Sequence, residues 1–479
     1  MALRNGAHRL VVVGLLACTW SVPAFAQGSP PQPAASTDPY YDFLLGLRLD
    51  KLGDANGALA AFERAAAADN ASSEIKAEIA AFYLRRSRRD DAERMAQAAL
   101  AIDAENVEAH RVLGTLLAAQ VDGTNGRGQA ARAIVLAREA ITHLEKVAAA
   151  PVGATDIGLQ YTLGRLYLRA GDFDRATQVL ARVVSQSPSS VQARLSLAQA
   201  YAAARDMNGA IETLAAIVDA EPRVAATLGQ FQEQAGRLAE AADSYAKALS
   251  LAPMNRELKL RRLATLIGAG DYTAAARLAA EAQGEHPEDL RFTRLQAQAL
   301  SAGGDRPAAL TLLESAVRER PGDAPTMLAL ADVYADAGRS ADAEGTLRRL
   351  IAREPDNADA LNYLGYLLAD EGRLLDEAVT LVRRALDLDP GNPSFLDSLG
   401  WAYFQRGDFE EAENYLRPAA EQLPGNSVIQ DHYGDALSRR GRWQDAIDAW
   451  SRAIDGDGQD VDLPAIRRKI DDARSKLGR

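Results

Sequence analysis

Apolar residues recur along this chain with the spacing of helices. Between residues 393 and 424, one predicted helix carries Leu396, Leu399 and Tyr403 on a single face. A second predicted helix follows with small or apolar residues at Ala412, Leu416 and Ala419. Gly407-Asp408 between the two helices predicts the end of the first, and Pro424 predicts the end of the second. The pattern therefore predicts a helical hairpin.

The same hairpin pattern recurs along most of the chain, usually with a step of 34 residues. Twelve copies begin at residues 39, 73, 107, 157, 191, 222, 256, 290, 324, 358, 393 and 427. One hairpin cannot bury its apolar face alone, so each copy must pack against its neighbours. No strand-like alternation of useful length interrupts the pattern. The sequence predicts an all-α solenoid over residues 39–460.

Three copies depart from the pattern. The copy at 256 has Arg262-Leu263 where a Leu-Gly pair recurs elsewhere, which predicts looser packing. The copy at 191 is three residues short, which predicts that the first helix of the next hairpin is clipped. The copy at 107 has about 14 extra residues near 120–133, which predict a surface loop with a lengthened second helix. The glycines of this insertion form no phosphate loop, because no strand precedes them and no Lys-Ser/Thr pair follows.

The repeated residues resemble the tetratricopeptide repeat family. That family has Leu-Gly and Tyr in the first helix and Ala, a large residue, Ala and Pro in the second. These residue types recur here as Leu399-Gly400, Tyr403, Ala412, Leu416, Ala419 and Pro424, and as Leu163-Gly164, Tyr167, Ala176, Leu180, Val183 and Pro188. The resemblance covers residues 39–460 and implies a right-handed superhelix. It also implies a concave groove that binds a protein or peptide partner.

The first 26 residues have the pattern of a signal peptide. Arg4 and Arg9 precede an apolar run that is too short to span a bilayer, and Ala24-Phe25-Ala26 offers a signal-peptidase site before Gln27. The rival interpretation is a lipobox, Leu15-Leu16-Ala17-Cys18, with lipidation at Cys18. Either pattern predicts export, to the periplasm or as an outer-membrane lipoprotein of a Gram-negative bacterium. Later in the chain no apolar run reaches the roughly 20 residues of a membrane span.

Two terminal segments of the mature chain lie outside the repeats. Residues 27–38 are rich in Pro, Ser and Ala and predict a flexible leader. Residues 461–479 place Ile466 and Ile470 at helical spacing among charged residues. A solenoid needs a polar-faced terminal element, so this segment is interpreted as a capping helix.

Composition and motifs argue against catalysis, metal binding and nucleic-acid binding. The chain has 479 residues, a net charge of −12, one Cys and five His, so neither a disulfide framework nor a Cys-rich zinc site is expected. An acidic pI near 5.1 without Lys/Arg clusters disfavours nucleic-acid binding. We find no nucleophile elbow, zinc helix or Walker loop, and the aspartates at 455–462 lack the EF-hand order. The sequence predicts no enzyme activity, cofactor or metal.

Large residues at groove positions indicate where a partner would bind. In the tetratricopeptide repeat family, which this chain resembles, copy positions 2, 5, 9 and 12 of the first helix line the groove and are not needed for hairpin packing. In the last three copies these and neighbouring positions carry Asn362, Tyr366, Asp397, Trp401, Phe404, Asp431, Asp435 and Arg439. Aromatic anchors ringed by carboxylates and amides are typical of a peptide-binding site. A weaker candidate comprises Tyr40, Phe43 and Leu47, and packing against neighbouring helices is the alternative interpretation for both groups.

The net charge of the C-terminal region and the sequences of the last three copies indicate which role to expect. Residues 358–479 carry 23 acidic and 15 basic residues, so this end would attract a basic partner. The runs Asn362–Tyr366, Asp397–Tyr403 and Asp431–Asp435 resemble those of exported bacterial tetratricopeptide proteins. Some of these are lipoprotein adaptors of carboxy-terminal-processing proteases. The resemblance implies a scaffold or adaptor, and the alternative is a periplasmic component of polysaccharide export or outer-membrane assembly.

Overall fold

The computed structural model describes residues 38–124 and 128–478. All regular secondary structure in these residues is helical, which confirms the all-α prediction. The signal peptide, Cys18 and the leader up to residue 37 lie outside the described residues. The chain divides into two compact units, Met1–Pro188 and Ser189–Arg479.

The first unit contains four helical hairpins and one extra turn. Its helices are α1 (Pro39–Lys51), α2 (Ala55–Ala68), α3 (Ser73–Arg85), α4 (Arg89–Leu100), α5 (Val107–Gly123), α6 (Ala130–Ala149), α7 (Pro151–Ala154), α8 (Ile157–Ala170) and α9 (Phe173–Gln186). The first helix of each hairpin begins at the residue where a sequence copy begins.

The second unit continues the hairpins and ends in one further helix. Its helices are α10 (Val191–Ala203), α11 (Met207–Ala215), α12 (Pro222–Gln234), α13 (Leu238–Leu251), α14 (Arg256–Gly268), α15 (Tyr272–Glu285), α16 (Leu290–Ala302), α17 (Arg306–Glu319), α18 (Ala324–Asp336), α19 (Ser340–Arg353), α20 (Ala358–Asp370), α21 (Leu375–Leu388), α22 (Pro393–Arg406), α23 (Phe409–Gln422), α24 (Ser427–Arg439), α25 (Trp443–Asp455) and α26 (Leu463–Leu477). Successive helices pack against one another through this unit.

Local sequence fixes where each helix begins and ends. At the start of α22, Asn392 accepts hydrogen bonds through its side-chain oxygen from the backbone N–H groups of Ser394 and Phe395. At the other end, Gly407 adopts a left-handed conformation with φ 91°, which ends the helix without the strain that a side chain would bring. Asn, Asp or Ser side chains cap most of the other first helices in the same way.

Within a hairpin, a small residue on the first helix faces a large residue on the second. A Cβ added to Gly400 would lie 2.5 Å from Cγ of Leu416, so the glycine is what allows the two helices to approach closely. In the copy at 256 the sizes are reversed, with the large residue Leu263 on α14 and the small residue Ala279 on α15. Both are fully buried and belong to one core cluster. Helices α14 and α15 nevertheless approach each other less closely than the two helices of any other described hairpin, because Leu263 stands where the other copies have glycine or alanine. This confirms the prediction of looser packing in this copy.

The two copies of irregular length differ from the others in the lengths of their helices. The insertion in the copy at 107 gives a 17-residue α5 and a 20-residue α6, so the first helix is lengthened as well as the second. In the copy at 191 the deletion leaves α11 with nine residues, while the following α12 keeps 13. The predicted clipping of α12 is wrong, because Pro222 fixes its first turn and the lost residues come from the end of α11.

Helix α26 packs against α25 at the end of the second unit. Ile466 and Ile470 are buried in the same core cluster as Trp450, while the charged residues of α26 are largely exposed. Across residues 38–124 and 128–478, we find no helix that is both long enough and apolar enough to cross a bilayer.

Candidate functional site

The first helices of four consecutive copies line a groove of about 760 Å³ in the second unit. The helices α18, α20, α22 and α24 contribute its walls. Three of the sequence-predicted residues, Asn362, Tyr366 and Asp397, lie in it. The groove is lined by aspartates, asparagines, serines, tyrosines and aliphatic side chains, and no lysine, arginine or histidine contributes to its lining.

Hydrogen bonding in the groove wall is incomplete. The hydroxyl of Tyr363 donates to Oδ1 of Asp332 across 3.1 Å, which links α20 to α18. Beside it, Oδ1 of Asn362 is buried and receives no hydrogen bond. A buried acceptor without a donor costs free energy, typically about 1–3 kcal/mol. Because this oxygen has almost no accessible surface, a ligand in the groove would reach it only if the Asn362 side chain moved.

The electrostatic environment of the groove is strongly acidic. Burial raises the pKa of Asp332, and the charges of Asp336 and Asp460 raise it further, although the Tyr363 hydrogen bond opposes this. Burial also raises the pKa of Tyr366, with further contributions from Asp370, Asp397 and Asp460. The charge of Asp460, in the loop between α25 and α26, therefore acts on both of these side chains.

A stack of aromatic rings lies beside the groove on α22 and α24. Trp401 is half-buried and stacks on His432, with ring centroids 4.0 Å apart, and on Phe404, with centroids 5.0 Å apart. Its indole Nε1 donates to Oδ1 of Asp370 across 3.4 Å. The guanidinium of Arg439 lies 5.8 Å from the Phe404 ring and caps this end of the stack. The tryptophan is therefore held in place by stacking and by a hydrogen bond.

A buried histidine links the stack to the groove. Nδ1 of His432 lies 3.0 Å from Oδ1 of Asp397, and both side chains are more than 90% buried. Burial lowers the pKa of His432, but the carboxylate of Asp397 and the charges of Asp431 and Asp435 more than offset this, so its pKa is raised. The His432 ring, held by Asp397, supports the Trp401 ring by stacking against it.

The remaining acidic candidates, Asp431 and Asp435, are paired with a lysine of the terminal helix α26. Nζ of Lys469 on α26 lies 2.8 Å from Asp431 and 2.8 Å from Asp435. Asp435 also accepts a hydrogen bond from Nε1 of Trp450 across 3.1 Å. Burial raises the pKa of Asp435, and Lys469 counteracts this rise. These carboxylates hold α26 in place and are not presented to a ligand in this arrangement.

Comparison with known families agrees with the repeat geometry. Three family models described as tetratricopeptide repeat match residues 265–324 and 328–393, residues 167–230 and 368–431, and residues 222–255. Together they match more than half of the chain. The chain is a tetratricopeptide repeat protein. No curated protein gives a significant match.

Several solved structures share the helical architecture at low identity. The yeast Tom70 structure is 13% identical, with a TM-score of 0.47, and covers 92% of this chain and 96% of that one. The structure of the APC/C hetero-tetramer Cut9–Hcn1 is 13% identical, with a TM-score of 0.40, and covers 92% and 90%. That of Naa15/Naa10 bound to HypK-THB is 15% identical, with a TM-score of 0.43, and covers 86% and 68%. At TM-scores below 0.5 these structures inform neither the detailed arrangement nor the function of this tetratricopeptide repeat protein.

The eight predicted partner-binding residues thus fall into three places in the tetratricopeptide array. The groove has Asn362, Tyr366 and Asp397. The ring stack has Trp401, Phe404 and Arg439, and the Lys469 clamp has Asp431 and Asp435. The sequence reasoning missed Asp332, although it occupies copy position 9 of its own repeat, because only the aromatic-rich copies were considered.

The N-terminal tetratricopeptide copy divides its apolar candidates between core and surface. Phe43 and Leu47 pack against the core of the first unit, whereas Tyr40 is 66% exposed. In the same unit, His110 and His143 approach with their Nδ1 atoms 2.7 Å apart. Within the described residues, no group of three or more His, Cys, Asp or Glu side chains is arranged to hold a metal ion.

Proposed function

We propose that this protein is a non-catalytic scaffold that binds an extended segment of a protein partner in the groove of its second unit. The observation that carries the proposal is the groove itself. It spans four consecutive first helices and presents side chains, among them Asn362 and Tyr366, that the hairpin seams do not use. Tetratricopeptide repeats are typically binding modules, and a groove of this length suits an extended chain better than a small molecule.

The adjoining ring stack gives the proposed site an anchor. Trp401 is half-buried, so part of its ring is available, and it is held by Phe404 and His432. A rigid, partly exposed tryptophan is a common hot spot of protein interfaces because little side-chain entropy is lost on binding. Partner contacts would extend from the groove onto this ring.

The cellular setting follows from the N-terminal sequence. The protein is proposed to act in the envelope of a Gram-negative bacterium, as a soluble periplasmic protein after cleavage before Gln27, with lipid attachment at Cys18 as the alternative. The proposed role is that of an adaptor, with a carboxy-terminal-processing protease as the candidate partner. The resemblance of the closing repeats to such adaptors supports this choice.

Site-specific photo-crosslinking in cells tests the proposed site. A benzophenone amino acid replaces Tyr366 in the groove, and the matched control replaces Leu388, which is exposed at the end of α21. We expect a discrete crosslinked protein from position 366 and none from position 388. Identical crosslinks from both positions, or none from position 366, would contradict binding in the groove.

A further inference from the structure

Carboxylate oxygens are prominent hydrogen-bond acceptors in the groove. The carboxylates of Asp332, Asp359 and Asp397 line it. The buried Oδ1 of Asn362 receives no hydrogen bond, and the hydroxyl of Tyr363 already donates its hydrogen bond to Asp332. A ligand that pairs with these carboxylates must supply hydrogen-bond donors. Lysine and arginine side chains are positively charged donors that carry no acceptor of their own.

The charges in the groove are compensated only in part. Asp397 faces His432. The pKa of Asp332 is raised by burial and by the charges of Asp336 and Asp460, and the hydrogen bond from Tyr363 opposes this rise. Like charges close together in a partly buried site repel each other. A bound cation would relieve this repulsion, so the site favours a positively charged occupant over a neutral one.

Two aromatic faces lie among these carboxylates. Tyr363 and Tyr366 are neighbours on α20, and both are half-buried. Ring faces attract a guanidinium or ammonium group, with a contribution of about 0.5–2 kcal/mol at protein surfaces. Acceptors, negative charge and rings therefore favour the same chemistry.

We propose that the groove binds a lysine- or arginine-containing segment of the partner, with its cationic side chain held by Asp332 and by the tyrosine rings. This inference rests on the proposed function, because it names the chemistry of the segment that the scaffold binds. Volume supports a peptide over a free amine, since about 760 Å³ along four helices exceeds what one side chain fills. A bound metal ion is the weaker choice, because no group of three ligating side chains is arranged for one in the described chain.

Binding of a defined peptide by the purified full-length protein tests the inference. A fluorescein-labelled hexa-arginine peptide is titrated and its anisotropy recorded, with hexacitrulline as the uncharged isostere. The test variant is the double substitution Asp332→Asn and Asp359→Asn. The control variant, Asp387→Asn with Asp448→Asn, makes the same change of net charge on the second helices α21 and α25.

We expect the groove variant to lose about tenfold or more in affinity for hexa-arginine, while the control variant loses less than about twofold. Hexacitrulline should bind much more weakly than hexa-arginine. Thermal unfolding of Asp332→Asn alone should be unchanged or shifted upward, because the charge it removes is unfavourable in the folded state. A weakened affinity would then reflect a lost contact and not a damaged fold.

Three results would overturn the inference. Equal losses in the two double variants would mean that the peptide responds to net charge alone. Competition by millimolar calcium, but not by sodium at equal ionic strength, would mean that the groove is a metal site. A partner crosslinked at position 366 through a segment without lysine or arginine would refute the cationic chemistry while leaving the scaffold function standing.

Discussion

At the scale of single residues, each hairpin depends on a match of sizes between its two helices. Gly400 accepts Leu416, Gly434 accepts Trp450, and Ala297 shares a core with Leu313. In the copy at 256 the large residue, Leu263, lies on the first helix and the small one, Ala279, on the second. The total volume is conserved, which explains why the exchanged pair still leaves both positions fully buried.

This complementarity predicts strong coupling between Leu263 and Ala279. Leu263→Ala should cost about 2–5 kcal/mol by leaving a cavity, and Ala279→Leu about 1–3 kcal/mol by overpacking. The double variant restores the arrangement of Ala297 and Leu313, so it should be more stable than the sum of the two losses by at least about 1 kcal/mol. Urea unfolding of the four proteins measures the coupling. Simple additivity would show that these residues do not pack against each other.

A second residue-scale prediction separates core from surface within α22. Leu399 is fully buried at the hairpin seam, whereas Trp401 is half-buried in the ring stack. Leu399→Ala should therefore cost about 2–5 kcal/mol of unfolding free energy. Trp401→Ala should cost less than Leu399→Ala while abolishing the crosslink from position 366. If Trp401→Ala destabilises the protein as much as Leu399→Ala, the ring belongs to the core and does not anchor a partner.

At the scale of elements, paired charges connect α22 to α24 and α24 to the terminal helix α26. Asp397 on α22 faces His432 on α24, and Asp431 and Asp435 on α24 face Lys469 on α26. Breaking a buried pair is costly because one charge is left uncompensated. These pairs help to fix the spacing of α22, α24 and α26, and with it the shape of the site.

The raised pKa of His432 predicts a pH dependence of stability. An unfolded histidine titrates near pH 6.5, so the protonated pair stabilises the folded state fully below that pH. The stabilisation is lost as the pH rises through the higher pKa of the folded state. Between about pH 6 and pH 8.5 the Tm of the wild type should fall, and it should fall less steeply in His432→Gln.

His143 provides a control of opposite sign. Burial and the neighbouring His110 lower its pKa, so its contribution to stability increases with pH as the neutral form is favoured. This contribution changes mainly below about pH 6.5, so His143→Gln should steepen the fall of Tm only at the acidic end of the range and leave the slope above about pH 7 unchanged. The same slope in the wild type and in both variants would show that neither histidine titrates differently on folding.

At the scale of the whole molecule, one core cluster runs without a break through the copies from 290 to 427. It contains Leu347 and Leu350 on one side of the junction at residue 357, and Leu361 and Leu364 on the other. The chain divides more naturally after Pro188. Cooperativity in a repeat array depends on such interfaces between neighbouring copies.

Truncation tests this view of the second unit. A fragment of residues 189–479 should remain helical and unfold in urea near the midpoint of the full-length protein. A fragment of residues 358–479 should also be helical, but with a clearly lower midpoint, because the cut exposes Leu361 and Leu364. Equal midpoints for the two fragments would show that the copies stabilise each other little. Circular dichroism measures both.

The proposed export predicts a defined start for the mature protein. Intact mass of material purified from a Gram-negative host should correspond to a chain that begins at Gln27, unmodified or cyclised. A diacyl or triacyl mass at Cys18 would instead establish the lipoprotein.

The repeat period made much of the fold and part of the site predictable. Asn362, Tyr366 and Asp397 could be found because a groove position is a property of one helix and its copy number. The pairing of Lys469 with Asp431 and Asp435 could not, because α26 has no counterpart in the repeat that would fix its register. The stack of Trp401 on His432 joins two copies, so it depends on the angle between hairpins, which the period does not specify.

The matched sizes of Gly400 with Leu416, and of Leu263 with Ala279, also decide how such an array can be recombined. Exchange of a complete hairpin between positions carries both members of a pair, so the donor's own fit is kept. A crossover in the turn between the two helices would join Leu263 to a large residue such as Leu416, or Gly400 to the small Ala279. Viable duplications and engineered chimeras should therefore have their junctions between copies.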